Sequence, residues 1–329
     1  MQNYRLTSHD VVALMLGGVC ALVGCTASLP TRGGMPAEFA VEATVAVGRA
    51  PHGIRFSGDG TRAFVALSGD DSIAIVDTRS LRVVEKRAAG KTPLDLVALD
   101  GDDWLVTQFT GNELITLESS DRWNVGKGPS LFSPRTPGGK AYLVSEFADT
   151  LTVVDLARRA VIARHPTGRR PYPGDVTKNG KLAFVPNRTD SSVSVINLND
   201  GRTLATTLVC ERPEGGALTE DDAWYVVACG GSGELAYISA TSHQVVTRLR
   251  EGLGARPFSV AMTPDGRFSL VNNAGDSTVS VLDVAKRRIV GQLVVGQKPI
   301  VVRMHPDGRR AFVSNEDSGT VTIVRLPAP

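Results

Sequence analysis

The sequence predicts an all-β fold: a seven-bladed β-propeller of four-stranded antiparallel blades over residues 39–329, its ring closed by an N-terminal strand joining the C-terminal blade. Three observations predict it. Gly-x-x-Pro recurs at Gly48/Pro51, Gly90/Pro93, Gly126/Pro129, Gly168/Pro171, Gly254/Pro257 and Gly296/Pro299, and Cys210/Pro213 fills the remaining slot. These prolines lie 42, 36, 42, 42, 44 and 42 residues apart, which suits one four-stranded blade and not the common helical repeats. Finally, the seventh repeat ends one strand short, while an orphan strand, Phe39 to Val47, precedes the first repeat.

Composition agrees with many short strands joined by tight turns. The 329 residues include 34 glycines and 18 prolines, and valine, isoleucine and threonine recur in short runs. A hydrophobic content of 42%, a charged content of 21% and a net charge of +2 describe an ordinary globular chain, neither a disordered tail nor a coat for nucleic acid. With aromatic residues at 5%, a dedicated DNA-binding role is not expected.

The first residues stand apart from the repeats. Arg5 precedes an apolar run from Val11 to Val23 that is too short to span a bilayer comfortably and has the layout of an export signal. The run ends in Leu22-Val23-Gly24-Cys25, which resembles a bacterial lipobox. That resemblance implies a signal peptide over residues 1–24, cleavage before Cys25 and lipidation of its sulfur; a plain secretory signal with an incidental cysteine is the alternative. Cys20 fits less well, because bulky Val19 precedes it. Thr26 in place of aspartate implies sorting to the outer membrane, facing the periplasm or the surface. Residues 25–38, with Pro30, Gly33, Gly34 and Pro36, have the composition of a flexible tether.

Within each repeat, the proline opens a short inner strand that is followed by a turn, a second strand, another turn and a third strand. In blade 7 these are Pro299 to Val302, the turn His305-Pro306-Asp307-Gly308, Ala311 to Asn315, and Thr320 to Val324. Proline presets φ at the start of such a turn and glycine accepts positive φ at its end. Thr263-Pro264-Asp265-Gly266 and Ser57-Gly58-Asp59-Gly60 follow the same logic, and these turns need no catalytic explanation. Acidic or hydroxyl-bearing links such as Asp71-Ser72, Asp149-Thr150 and Asp276-Ser277-Thr278 lead to the third strands. Arg288 to Leu293 illustrates the fourth-strand slot that Phe39 to Val47 would fill in the last blade. The short 36-residue interval is read as a shortened third blade.

Phe312-Val313-Ser314-Asn315, Leu270-Val271-Asn272-Asn273 and Phe184-Val185-Pro186-Asn187 resemble the Tyr-Val-Thr-Asn signature of the YVTN β-propeller repeat family. Leu67, Gln108, Ser145 and Cys229 replace the signature asparagine in the other blades. The resemblance implies an exported bacterial or archaeal protein of the periplasm or surface, with a binding or scaffolding role and no named ligand.

Every repeat places a basic residue between the glycine slot and the proline: Arg49, Lys91, Lys127, Arg169 with Arg170, Arg212, Arg256 and Lys298. Seven turns on one face near the channel would sum these charges into a positive ring that attracts anions. Repetition of one ancestral solvated turn is the alternative, and Glu211 would offset part of the ring. Arg55 and Arg303 share one inner-strand position in adjacent blades, where Asp175 stands in blade 4. They are candidates for complementing a polar ligand in the channel; pairing with neighbouring carboxylates or contact with channel water is the other reading.

His52 opens an inner strand and His305 lies in the turn at the far end of another. Five residues of strand separate the two positions, roughly 16 Å, so they cannot share a metal ion. His165 and His243 fall near outer strands, and neither a haem-attachment motif nor a paired-cysteine zinc pattern occurs. No metal and no cofactor are therefore expected. Cys210 and Cys229 sit at the start of the first strand and the end of the second strand of one blade. Antiparallel pairing makes them neighbours and, in an oxidising compartment, candidates for a disulfide; two buried free thiols are the alternative.

The leading functional expectation is a lipid-anchored, non-enzymatic envelope propeller that binds a partner protein, a glycan or a small anion, and meets the membrane only through its anchor. One rival is a propeller lactonase using Arg55, Arg303, Asp175, His52 and Asp95, although these form no recognisable set of acid, base and placed water. The other is an accessory subunit of a periplasmic dehydrogenase system, whose redox centre a partner would have to supply.

Overall fold

The computed structural model describes residues 36, 38–99, 103–119 and 121–328. The export signal, the lipidation candidate Cys25 and nearly all of the tether lie outside them. The described chain is a seven-bladed β-propeller: seven four-stranded antiparallel sheets, six of them built from consecutive strands. Inner strands run over Pro51–Phe56, Pro93–Ala98, Pro129–Phe132, Asp175–Val176, Pro213–Leu218, Pro257–Met262 and Pro299–Met304. Six of the seven thus begin at the repeated proline, whose missing N–H is tolerated at the first position of a strand.

The second and third strands of each blade are buried on both sides, as in Arg62–Leu67 and Ser72–Asp77. The hydrophobic cores lie between blades rather than within them. One joins Leu270, Val279 and Val281 of the sixth blade to Val302, Ala311, Val313 and Val324 of the seventh. Burying each such side chain contributes about 1.5–3 kcal/mol. Outer strands carry water on one side and alternate accordingly, as Val245–Leu249 does.

The orphan strand closes the ring. Ala40–Ala46 runs antiparallel to Thr320–Arg325, pairing Ala40 with Arg325 and Ala46 with Thr320. Just before it, Phe39 is 2% exposed and meets Phe268 edge-on at 5.2 Å. The added strand covers an edge that would otherwise offer unpaired backbone groups to another chain.

The signature asparagines act as latches. Asn187, Asn273 and Asn315 each donate from Nδ2 to two hydroxyls of the third strand: Ser192 and Ser194, Thr278 and Ser280, Thr320 and Thr322. Asn187 Oδ1 also accepts the N–H of Gly168, tying the blade to its Gly-x-x-Pro turn. Where asparagine is replaced, the tie persists by other means. Gln108 donates to the carbonyl of Ala89, and Ser145 donates to that of Val125 at 2.7 Å. Cys229 is bonded covalently to Cys210, and Leu67 packs fully buried.

Two blades depart from the pattern. The short interval shortens the second blade and not the third: its third and outer strands are only Glu113–Thr116 and Arg122–Asn124. In the fourth blade Pro171 makes an isolated bridge to Asn187, and the inner strand resumes only at Asp175–Val176. Pro171 and Pro173 donate no N–H to the ladder. Gly174 passes so close to the carbonyl of Phe184 that a Cβ there would lie 1.7 Å from its oxygen.

Candidate binding site in the central channel

The Gly-x-x-Pro turns lie beside the turns that join second to third strands; Ser68 and Gly69 donate to the carbonyls of Ala50 and Arg49. This proline face carries the basic residues, and the structure gives most of them acidic partners. Arg49 pairs with Asp70 and Arg169 with Asp190, both at 2.6 Å; in each case the same carboxylate accepts the arginine's own backbone N–H. Arg170 lies 3.6 Å from Glu146, Arg212 2.8 Å from Glu214, and Lys298 2.8 Å from Glu316. Only Lys91, Lys127 and Arg256 are exposed without an ion pair among the described residues. Five of the eight charges are thus offset locally, so the summed positive field expected of the ring is largely cancelled.

Behind this face, the proline end of the channel collects carboxylates. Glu214 is 1% exposed and Glu146 is 5% exposed. Arg188 grips Glu214 with two nitrogens, at 2.9 and 3.1 Å, and lies over the ring of Tyr172 at 4.7 Å. Burial pushes the carboxyls of Glu146 and Glu214 up from the ordinary range, against the pull of Arg188. His52 stands 3.9 Å from Glu316, and burial pulls its imidazole down to about 4, so it is neutral near pH 7. Deeper in, Leu131, Ile300 and Val301 form an apolar cluster, with Phe258 packed against it.

Beyond that cluster lies the hairpin end, named for the turns between first and second strands, where two buried aspartates join neighbouring blades. Asp95, fully buried, accepts from Arg55 Nη2 at 2.7 Å and Nε at 3.2 Å, and from the N–H of Phe132 at 3.0 Å. One carboxylate thereby links blades 1, 2 and 3. Asp175 accepts the N–H groups of Leu218 and Val176 and the hydroxyl of Ser133, and Arg135 Nε stands 3.9 Å away. Arg135 is itself paired with Asp222 at 2.5 Å and donates to the carbonyl of Val176.

Arg303 differs. Its Nη1 donates to the carbonyl of the adjacent Val302, at 3.3 Å, and its Nε has no partner among the described residues. Burial, and then the charge of Arg55, pull this guanidinium down to about 10, which still leaves it charged at neutral pH. It lines a cavity of about 370 Å³ together with Arg55, Arg135, Asp175, Leu218, Met262 and Met304. Chemically, the arrangement offers a cation beside apolar wall in a space of small-molecule size.

The structure therefore gathers Arg55, Arg303 and Asp175 at one cavity and places His52 at the opposite end of the channel. Asp95 lies behind Arg55 as its partner. His305 sits in a hairpin turn, where its Nε2 contacts the carbonyl of Gly60 at 2.8 Å; it is thus at the other end from His52. Arg135, Tyr172, Arg188, Glu146 and Glu214 escaped the sequence reading. All but Arg135 occupy one of two repeat slots, the residue after the proline or the residue after the signature position, and aligning the repeats slot by slot would have shown them.

No family model matches the chain, and no curated protein matches it. Among solved structures it is similar to hydrazine synthase of Kuenenia stuttgartiensis, with a TM-score of 0.75 and 19% sequence identity over 86% of this chain and 97% of that one. At that identity the likeness shows the fold alone.

Proposed function

We propose that this propeller is an exported protein of YVTN-repeat type, held in the cell envelope by a lipid on Cys25, that binds a partner rather than transforms a substrate. The observation that carries the binding reading is how the channel's charges are committed. Asp95 and Asp175 are each fixed by backbone N–H groups and faced by arginine, the condition of structural ties between blades. A general base needs instead a carboxylate free to meet a proton. The group left uncommitted beside open space is a guanidinium, Arg303, which serves to hold an anion. A rigid closed ring with a pre-formed pocket suits recognition, because little ordering cost accompanies binding.

The anchor rests on Leu22-Val23-Gly24-Cys25. It is tested by mass spectrometry of the mature N-terminus and by membrane fractionation of wild type and Cys25→Ala. A lipid-modified Cys25, with loss of membrane association in the variant, is the expected result; an unmodified mature chain starting elsewhere would overturn it. The binding reading is tested on a panel of sugar lactones. Hydrolysis that disappears on replacing Arg303 and His52 would make the protein an enzyme, whereas co-purification of a stoichiometric envelope partner with unchanged lactones is expected.

A further inference from the structure

We propose that the hairpin end of the channel is a binding site for a small organic monocarboxylate with an apolar body, received by the guanidinium of Arg303. The proposal deepens the binding reading above and rests on it in treating this cavity as a receptor.

Charge comes first. Four cations lie at or around the cavity, Arg55, Arg135, Arg303 and Lys178, and three of them are held by acids outside its wall or at its rim: Asp95, Asp222 and Glu220 respectively. Asp175 lines the cavity too, but its oxygens already accept from Leu218, Val176 and Ser133 and face Arg135. Burial raises its carboxyl pKa, against the pull of Arg135. Among the described residues, Arg303 is the one of these four that has no acid partner, and it lines the space. A planar guanidinium fork matches a carboxylate with two parallel hydrogen bonds.

The wall sets the rest of the ligand. Leu218, Val260, Ala261, Met262, Val302 and Met304 present apolar surface beside the arginine, and methionine adapts its shape to varied occupants. A single uncommitted cation selects a monoanion over a polyanion, because a second negative charge would meet Asp175 and Glu220 without compensation. A volume of about 370 Å³ falls at the lower end of small-molecule sites.

Isothermal titration of the folded protein with the straight-chain carboxylates from acetate to octanoate tests this, with hexanol and hexylamine as neutral and cationic counterparts. Affinity should rise with chain length until the cavity is filled, while the amine fails to bind. Arg303→Met should lose about 10-fold or more in hexanoate affinity, Arg303→Lys should lose less, and Arg49→Ala should bind as wild type does. Matching circular dichroism spectra and melting temperatures would show that Arg303→Met folds. Equal hexanoate binding in Arg303→Met, equal binding of hexanol, or no saturable binding of any carboxylate would each overturn the proposal. In the last case a co-purifying envelope partner would leave the broader binding reading standing. Chemical conversion of a bound probe, followed by NMR in the same samples, would instead overturn that broader reading.

Discussion

The two ends of the channel are built from different slots of the same repeat and solve opposite electrostatic problems. At the proline end, Glu146, Glu214 and Glu316 meet arginines and a lysine that close on them: Arg188 grips Glu214 twice, and Lys298 reaches Glu316. At the hairpin end, Arg55 and Arg135 are held by aspartates, but Arg303 is not. The cavity of about 370 Å³ opens on that same end. The contrast teaches that burial of charge alone does not mark a site in a propeller. Most buried charges here fasten one blade to the next, and the informative one is the charge that fastens nothing.

The strongest way to break this comparison is to remove a tie. Asp95→Ala leaves Arg55 buried without its carboxylate and frees the Phe132 N–H, and should cost about 3–5 kcal/mol in urea unfolding. Glu214→Gln at the proline end should cost clearly less, because Arg188 keeps its contact with Tyr172 and Arg212 is already half in water. Equal losses would erase the difference drawn between the ends.

The covalent latch of blade 5 should come next. The disulfide joins residues 19 apart in sequence, and replacing both Cys210 and Cys229 by serine should lower stability by about 3 kcal/mol. No loss would mean that the neighbouring packing holds the latch unaided.

His52 gives the proline end a pH signature. Its imidazole pKa falls from 6.5 to about 4 through burial, with Glu316, Lys298 and Asp95 as the charged neighbours. Because the folded value is depressed, the stability it contributes is present above pH 6.5 and is lost as pH falls toward 4. Wild type should therefore lose up to about 3 kcal/mol relative to His52→Gln across that window. Parallel pH profiles for the two proteins would show that His52 is not shielded from water.

The smallest effect belongs to the surface. Arg49 is 79% exposed at its side chain, and Arg49→Ala should change stability by less than about 1 kcal/mol. A larger loss would mean that the proline-face pairs are structural in the way the channel pairs are.

The fold was legible because the repeat wrote it seven times. Proline spacing fixes the number of blades, and the missing last strand calls for Ala40–Ala46. Individual departures were harder to read. The break in blade 4 comes from Pro173 and Gly174, two residues inside a repeat whose spacing is otherwise normal. The site was legible in part. Arg55 and Arg303 stood out by sharing a slot, yet their difference did not, because Asp95 belongs to the following blade and meets Arg55 only when the two blades pack side by side. The acidic partners of the basic turn residues were hidden for a related reason. Asp70 and Asp190 neutralise Arg49 and Arg169 from a turn 21 residues on, and a slot-by-slot count of basic residues does not register partners supplied by another slot.

The closing strand also determines how the ring carries mechanical load. Any tension applied through the residues before Phe39 reaches the ring through Ala40–Ala46, the outermost strand of the last blade, and first strains the Phe39 to Phe268 contact. Pulled along its own axis, the strand shears and its six paired positions resist together; pulled outward, it peels from Ala40 and they yield one at a time. The seam that completes the circle is therefore also where pulling would open it, leaving the remaining six blades, each made of consecutive strands, to unravel later.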